Sequence, residues 1–174
     1  DLAGFGLETP NLGVSAAGAL FQYAQATQMK SLAHVTGLTV EHESHFLRLD
    51  GATRRNLEIS ETLRGESAPT LLSLLDGCVT AMGSRWLRHC LHHPLASRSV
   101  ASERHDAVAE LQDKIGDLNP AMRGIADIER ITARIALRSA RPRDLSSLRH
   151  GLMRLAPLRE IVALPASALL TKLH

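Results

Sequence analysis

The chain has 174 residues, of which 44% are hydrophobic, 22% are charged and only 3% are aromatic. This composition can bury a core, which excludes a disordered tail, and its leucine, alanine, isoleucine and valine content favours helices over a β-sandwich. The net charge of +2 conceals a basic stretch, because residues 121–159 hold nine arginines and three acids, a balance of +6. No apolar run approaches the roughly 20 residues that span a bilayer, and two cysteines without a secretory signal predict a reducing, cytoplasmic location.

The first third of the chain is predicted to hold one helix, a small hairpin and a second helix. Residues 14–29 have helical periodicity, with one apolar face formed by Ala17, Leu20, Phe21 and Ala24. The stretch "LTVEHESHFLRL", residues 38–49, places β-forming residues on either side of a polar turn, which predicts a β-hairpin. Asp50 then stands where the N-cap of a helix over residues 51–59 belongs.

Two further helices are predicted in the middle of the chain, after a polar loop over residues 60–69. One helix begins at Thr70 and is stopped by Gly77. The next is capped by Thr80 and must end near Pro94, because the residue before a proline is pushed out of the α region.

The remainder of the chain is predicted to be helical. Ser99 is expected to cap a helix over residues 100–115, and Pro142 and Asp144 fit the first turn of a later helix. Three apolar stripes have helical spacing: Ala107, Val108, Leu111 and Ile115; Ile125, Ile128, Ile131 and Ile135; and Leu145, Leu148, Leu152 and Leu155. The expected fold is therefore mainly α, with a minor β element near the N-terminus.

The stretch "WLRHCLHHPL", residues 86–95, raises the question of a metal site. His89 and His93 have the i, i+4 spacing of zinc ligands on a helix. No HExxH or CxxC motif accompanies them, and Cys90 falls on the apolar side of the helix, where a free cysteine acts as a small hydrophobe. A zinc site and a helix end whose histidines favour the helix dipole both remain open, and we favour the helix end.

Signatures of catalysis are absent from the sequence. It contains no P-loop, no G-x-S-x-G and no G-x-G-x-x-G motif, and its acids are scattered singly. We therefore predict no catalytic, cofactor-binding or metal-binding residue, and we expect that this segment is not an enzyme.

Arginines in the basic stretch recur at helical spacing. Arg130, Arg134, Arg138 and Arg141 are separated by four, four and three positions. They predict either a stripe that follows nucleic-acid phosphates or a solvated, inter-domain face with Asp127 and Glu129 as partners. We favour the second interpretation because no aromatic residue nearby could stack on a base. The first three arginines nevertheless stay candidates for DNA contact.

Three stretches together resemble one protein family. "FLRLDGATRRNLEISETLRG" and the following "TLLSLLDGCVTAMGSRWLRHCLHHPL" resemble the start of the core, or lever, domain of MutS-type DNA mismatch repair proteins. "IADIERITARIALRSARPRDLSSLRHGL" resembles the continuation of that domain, and the opening "DLAGFGLE" is similar to the end of the family's connector domain. The resemblance implies that residues 1–12 end the connector, that residues 13–174 begin the core domain, and that a longer protein continues beyond them.

The resemblance also carries specific residues. The D-x-x-T-R-R-N-L-E signature is matched by Asp50, Thr53, Arg54, Arg55, Asn56, Leu57 and Glu58. The D-x-x-x-T-x-M-G-S-R signature is matched by Asp76, Thr80, Met82, Gly83, Ser84 and Arg85, and its L-H-x-P-L close by Leu91, His92, Pro94 and Leu95. The R-P-R-D-L corner is matched by Arg141, Pro142, Arg143, Asp144 and Leu145. Caps, helix stops and helix starts are structural roles, and His89, Cys90 and His93 depart from the family pattern, which argues against a family metal site.

The resemblance implies a bacterial, cytoplasmic and nucleoid-associated protein that finds mispaired or looped-out bases and couples this to ATP. Its partners are mismatched duplex DNA, a second copy and the downstream repair protein MutL, and it has no membrane partner. The family reads mismatches with a Phe-x-Glu motif of an N-terminal domain, which this chain lacks, and it holds ATP and magnesium in a C-terminal domain. We therefore expect a structural and allosteric segment, and the alternative is a basic helical nucleic-acid-binding or protein-interaction module without mismatch specificity.

Overall fold

The computed structural model describes residues 12–28, 32, 35 and 45–174. The chain divides into two compact units, Asp1–His42 and Glu43–His174. The described part of the first unit contains helix α1, Leu12–Gln28. The described part of the second unit contains nine α-helices: α2 (Gly51–Asn56), α3 (Leu71–Leu75), α4 (Ala81–His92), α5 (Arg98–Leu111), α6 (Ile115–Met122), α7 (Ile128–Ala136), α8 (Pro142–Met153), α9 (Leu155–Ile161) and α10 (Ala168–Leu173).

The prediction of a mainly helical protein is confirmed. Within the described ranges, β structure is limited to one antiparallel bridge between Phe46 and Leu95. The hairpin predicted over residues 38–49 falls largely on residues 38–44, which lie outside the described residues, so it stays a prediction. No helix in the described ranges combines the length and apolar character needed to cross a bilayer.

Helix α1 confirms the predicted helix but not a buried apolar face. Leu20 is 67% exposed and Phe21 is 41% exposed, while Ala17 and Ala24 are half-buried. The two alanines have little apolar area to bury, so burying this face would contribute little hydrophobic stabilisation.

Three predicted helix starts are confirmed, and each is made by a side chain acting within its own turn. The Asp50 carboxylate accepts a hydrogen bond from the backbone N–H of Thr53 at 2.6 Å. Thr70 forms a reciprocal capping box with Ser73 at the start of α3. The Thr80 hydroxyl accepts from the backbone N–H of Gly83 at 3.1 Å and so starts α4.

The predicted start of α5 is wrong by two residues. Ser97, not Ser99, occupies the N-cap position with extended backbone angles, and its side chain makes no capping hydrogen bond. The Ser97 hydroxyl instead lies 2.9 Å from the Ser99 hydroxyl, so the two serines satisfy each other. The helix then ends at Leu111, because a 3₁₀ turn over Gln112–Lys114 separates it from α6.

The helices of the second unit pack both on neighbours in the chain and on helices that are distant in the sequence. Helix α5 contacts α10, α6 contacts α9, and α8 contacts both α7 and α9. Its buried apolar side chains come from different elements of the unit and are Ile59, Ala107, Leu118, Ile131 and Leu170.

Each of the three apolar stripes is buried only in part; in the isoleucine stripe Ile131 is buried, but Ile135 is 39% exposed. In the α5 stripe Ala107 is buried, but Val108 is 66% exposed and Ile115 lies in the next helix. In the α8 stripe Leu145 and Leu152 are about half exposed.

Gly151 explains the exposure of the α8 leucines. It is the buried residue of α8, and a Cβ on it would lie only 3.6 Å from Ile128 Cδ1 and 3.7 Å from Ile125 Cγ2. Because α7 approaches α8 at this glycine, Leu145 and Leu152 point about 100° or more away from the contact. Leu155, the last member of the stripe, is 44% exposed and belongs to α9.

Candidate functional site

An arginine on α4 is joined to the start of α7. Arg85 donates two hydrogen bonds to the Asp127 carboxylate, at 2.6 Å from Nη1 and 2.9 Å from Nη2. It also donates to the Glu129 carboxylate, while Arg130 lies 3.4 Å from Asp127. We call Arg85, Asp127, Glu129 and Arg130 the helix junction.

Asp127 has two roles in the helix junction. It is the N-cap of α7, where its carboxylate accepts the backbone N–H of Arg130 at 3.2 Å, and it receives the Arg85 guanidinium. The hydrogen bond from Arg85 is the main cause that holds the pKa of Asp127 below its ordinary value, and the same contact raises the pKa of Arg85. Both groups are therefore charged at neutral pH, and the side chain of Asp127 is only 18% exposed.

The signature residues before Arg85 build the start of α4. Asp76 accepts from the Ser84 hydroxyl at 2.9 Å and from the backbone N–H of Cys78 at 3.2 Å. A Cβ on Gly83 would lie 3.1 Å from Thr80 Oγ1 and 3.3 Å from Cys78 Cβ. A side chain at position 83 would therefore crowd the capping threonine and Cys78.

The first signature builds the turn that follows α2. Glu58 has a left-handed backbone, with φ of +46°, and its carboxylate accepts from the backbone N–H of Leu63 at 2.7 Å. The Arg54 Nε atom is buried without a hydrogen-bond partner, while Arg55 and Asn56 are exposed. This signature therefore combines caps and turns.

The histidines at the end of α4 form an aromatic stack. The His89 and His93 rings stack with centroids 4.5 Å apart, Trp86 stacks on His89, and Phe46 approaches both histidines edge-on. His93 Nδ1 also lies 3.1 Å from the His89 carbonyl oxygen. Across the described ranges, no three His, Cys, Asp or Glu side chains come together as a metal site would require.

His92, the matched family residue, points away from this stack. Its Nε2 lies 2.8 Å from the Ser60 hydroxyl, which also accepts from Arg88 at 3.3 Å. Burial is the first cause that lowers the pKa of His92, and the charges of Arg88 and Arg54 add to it. His92 thus ties the end of α4 to the loop after α2 in its neutral form.

The four arginines at helical spacing do not form one stripe; they are Arg130, Arg134, Arg138 and Arg141. Helix α7 ends at Ala136, and Arg138 follows with a left-handed φ of +54°. The backbone N–H groups of Arg138 and Ser139 donate to the carbonyls of Ile135 and Arg134, which is the pattern of a Schellman motif. This turn breaks the helical spacing before Arg141. A glycine usually marks a Schellman motif in the sequence, but here the left-handed residue is Arg138, so the sequence did not reveal the turn.

A cavity lies beyond that turn, at the R-P-R-D-L corner. Its volume is about 480 Å³, and we call it the arginine cavity, lined by Arg134, Ser139, Arg141, Arg143 and Asp144. The Asp144 carboxylate accepts from Arg134 Nη1 at 2.7 Å and from the backbone N–H of Arg141 at 3.0 Å. Pro142 stands at the first position of α8, as predicted.

The structure places the three predicted candidates in three different environments. Arg130 belongs to the helix junction, Arg134 belongs to the arginine cavity, and Arg138 lies in the turn between them. The family signature points to Arg85 in the sequence but not to its pairing with Asp127. The two residues are 42 positions apart, and no local spacing predicts such a contact.

Comparison with protein families gives one match to this region. A family model described as MutS domain III matches residues 52–173. The matched range contains both the helix junction and the arginine cavity.

Proposed function

The chain belongs to the MutS family, whose domain III matches most of its length, and we propose that it is a structural and allosteric core segment of a MutS-type DNA mismatch repair protein. The protein in which it acts recognises mispaired or looped-out bases in duplex DNA and couples that recognition to ATP binding and hydrolysis. This segment contributes the connection between those events.

The helix junction is the observation that carries the proposal. A two-pronged arginine–carboxylate contact fixes both the distance and the orientation of its partners, which a single lysine contact does not. Here it joins residues 42 positions apart, near the start of α4 and at the start of α7. The helix junction is therefore suited to pass a displacement of one helix to the other, which is the coupling that we propose.

The proposal assigns the other activities of the family to other parts of the protein. Residues 1–12 end the connector domain and residues 13–174 begin the core domain. ATP and magnesium bind in an ATPase domain outside this segment. We assign no catalytic residue to the segment itself. The partners are mismatched duplex DNA, a second copy and MutL, in the bacterial cytoplasm at the nucleoid.

Two activities of the chain by itself test this role. We expect no ATP hydrolysis above buffer, and equal affinity for a duplex with one mismatch and for the matched duplex. ATP turnover is measured by phosphate release, and affinity by fluorescence anisotropy at one stated salt concentration. Robust turnover, or tight mismatch-selective binding, contradicts the proposal.

A second candidate function is nucleic-acid binding without mismatch specificity, through Arg130, Arg134 and Arg138. The exposure of these three side chains supports it, whereas the carboxylate partners of Arg130 and Arg134 oppose it. Such a module binds matched and mismatched duplexes equally, with steep salt dependence that falls on Arg→Ala at two of these positions. Affinity that is unchanged by those substitutions removes this candidate.

A further inference from the structure

We propose that the arginine cavity is a phosphate-binding site, which takes a phosphate group of a nucleic-acid backbone or of a free phosphate compound. The inference rests on the charges and shape of the cavity and is independent of the proposed allosteric role.

The charges that line the cavity are unbalanced. Three guanidinium groups face one carboxylate, so the lining carries two uncompensated positive charges. Both oxygens of Asp144 are already engaged, Oδ1 by Arg134 and Oδ2 by the backbone N–H of Arg141. The guanidinium groups of Arg141 and Arg143 form no ion pair within the described part of the chain, and both residues are exposed. They are available to an anion from outside.

The chemistry of the lining selects phosphate. A guanidinium presents a planar fork of N–H donors that matches the oxygens of a phosphate, and two forks can share the oxygens of one phosphate group. Ser139 adds a hydroxyl to the lining. The cavity also lies beside the N-terminus of α8, a helix of 12 residues whose dipole favours an anion there.

The shape and polarity of the cavity restrict what else is recognised. Its volume of about 480 Å³ falls among the sizes of small-ligand sites, roughly 300–1,000 Å³. Among the described residues, no aromatic or aliphatic side chain lines it, so a base has no aromatic ring on which to stack. The site therefore reads the phosphate group and not the base sequence.

Replacing the two unpaired arginines tests the proposal directly. The variant is Arg141→Gln with Arg143→Gln, which removes the charges and leaves the backbone N–H that Asp144 accepts. The matched control is Arg149→Gln with Arg159→Gln, which removes two exposed arginines outside the lining. Inorganic phosphate is titrated calorimetrically against each protein, at an ionic strength held constant with chloride, and a short DNA duplex is titrated by anisotropy.

We expect the cavity variant to lose about tenfold or more in affinity for phosphate, and the control to keep its affinity. A parallel loss of duplex affinity, with the salt slope reduced by about one to two, identifies a backbone phosphate as the source. Duplex affinity that is lost without a change for free phosphate gives the same identification. A loss for phosphate alone identifies a free phosphate compound.

Two results overturn the proposal: neither ligand distinguishes the cavity variant from the wild type, or the control loses as much affinity as the cavity variant. A second variant, Arg141→Lys with Arg143→Lys, guards against a folding defect because it keeps both charges. It is expected to recover part of the affinity that the glutamine variant loses. The helical circular dichroism of every variant is compared with that of the wild type.

Discussion

At the scale of single residues, Gly83 illustrates how a family signature acts on folding. Its backbone N–H donates to the Thr80 hydroxyl, and the same hydroxyl lies 3.1 Å from the position of a Cβ on Gly83. Any side chain here pushes against the oxygen that caps the helix. The glycine is needed because of its neighbours, since its backbone angles are those of an ordinary helix.

We expect Gly83→Ala to lower the free energy of unfolding by about 1–2 kcal/mol, because it disturbs the cap and crowds Cys78. The control is Gly116→Ala in α6, where a Cβ meets no atom within 4 Å. That substitution should raise stability by about 0.5 kcal/mol through helix propensity. Urea unfolding measures both, and equal effects of the two substitutions would refute this role of Gly83.

Residue-scale roles were predictable where the partner lies three positions away. Asp50 and Thr80 cap their helices as expected, because a cap is formed within one turn. The prediction of a cap is wrong at Ser99, because Ser97 occupies the N-cap position. The hydroxyl of Ser99 contacts the hydroxyl of Ser97 instead. Two potential caps two positions apart cannot be ranked from the sequence.

At the scale of elements, His92 connects the end of α4 with the loop that follows α2. Its contact with Ser60 spans 32 positions and is formed in a half-buried place beside Arg88 and Arg54. Burial and these two cations lower the pKa of His92 from its ordinary value of 6.5. Protonation therefore costs the native state more than the unfolded state.

The sign of the pH effect follows from that difference. As pH falls through about 6.5, the unfolded chain binds a proton at His92 before the native chain does, so the free energy of unfolding decreases. The loss levels off once the pH is below the lowered native pKa. We expect His92→Gln, which keeps a donor for Ser60, to weaken the dependence of stability on pH between about pH 7.5 and 5.5.

Urea unfolding at both pH values measures this change. The control is His105→Gln, since His105 is an exposed histidine on α5. The control should leave the pH dependence as in the wild type. A slope that His105→Gln reduces as strongly as His92→Gln would contradict the role of His92.

Element boundaries were easier to predict than the faces that elements bury. Pro94 and Pro142 mark a helix end and a helix start because proline geometry is local. The leucines of α8 were predicted to be buried, but the contact with α7 is made at Gly151. A glycine adds nothing to the hydrophobic pattern, so periodicity does not register this contact.

The helical spacing of Arg130, Arg134, Arg138 and Arg141 misleads for a related reason. It assumes one continuous helix, whereas α7 closes in a Schellman motif with Arg138 in the left-handed position. The result is more specific than the predicted stripe, because it separates Arg130 and Arg134, which pair with carboxylates, from Arg141, which lines the cavity and forms no ion pair within the described ranges. The sequence shows where the arginines lie along the chain, but the turn after α7 determines which of them are available to bind an anion.

At the scale of the whole molecule, the family could be predicted and the internal connections could not. Signatures spread along the chain identify a MutS domain III, and the match over residues 52–173 confirms this. The pairing of Arg85 with Asp127 depends on where α4 lies relative to the start of α7, which is a property of the assembled fold. We infer that this pairing makes the two helices respond together.

Hydrogen exchange followed by mass spectrometry tests that claim most directly, by comparing the wild-type chain with Arg85→Gln. We expect faster amide exchange in α4 and also in α7, because the substitution leaves Asp127 without the guanidinium that joins the helices. Arg149→Gln, which removes an exposed arginine outside the helix junction, should change neither helix. An increase confined to α4, with α7 exchanging as in the wild type, would contradict the account.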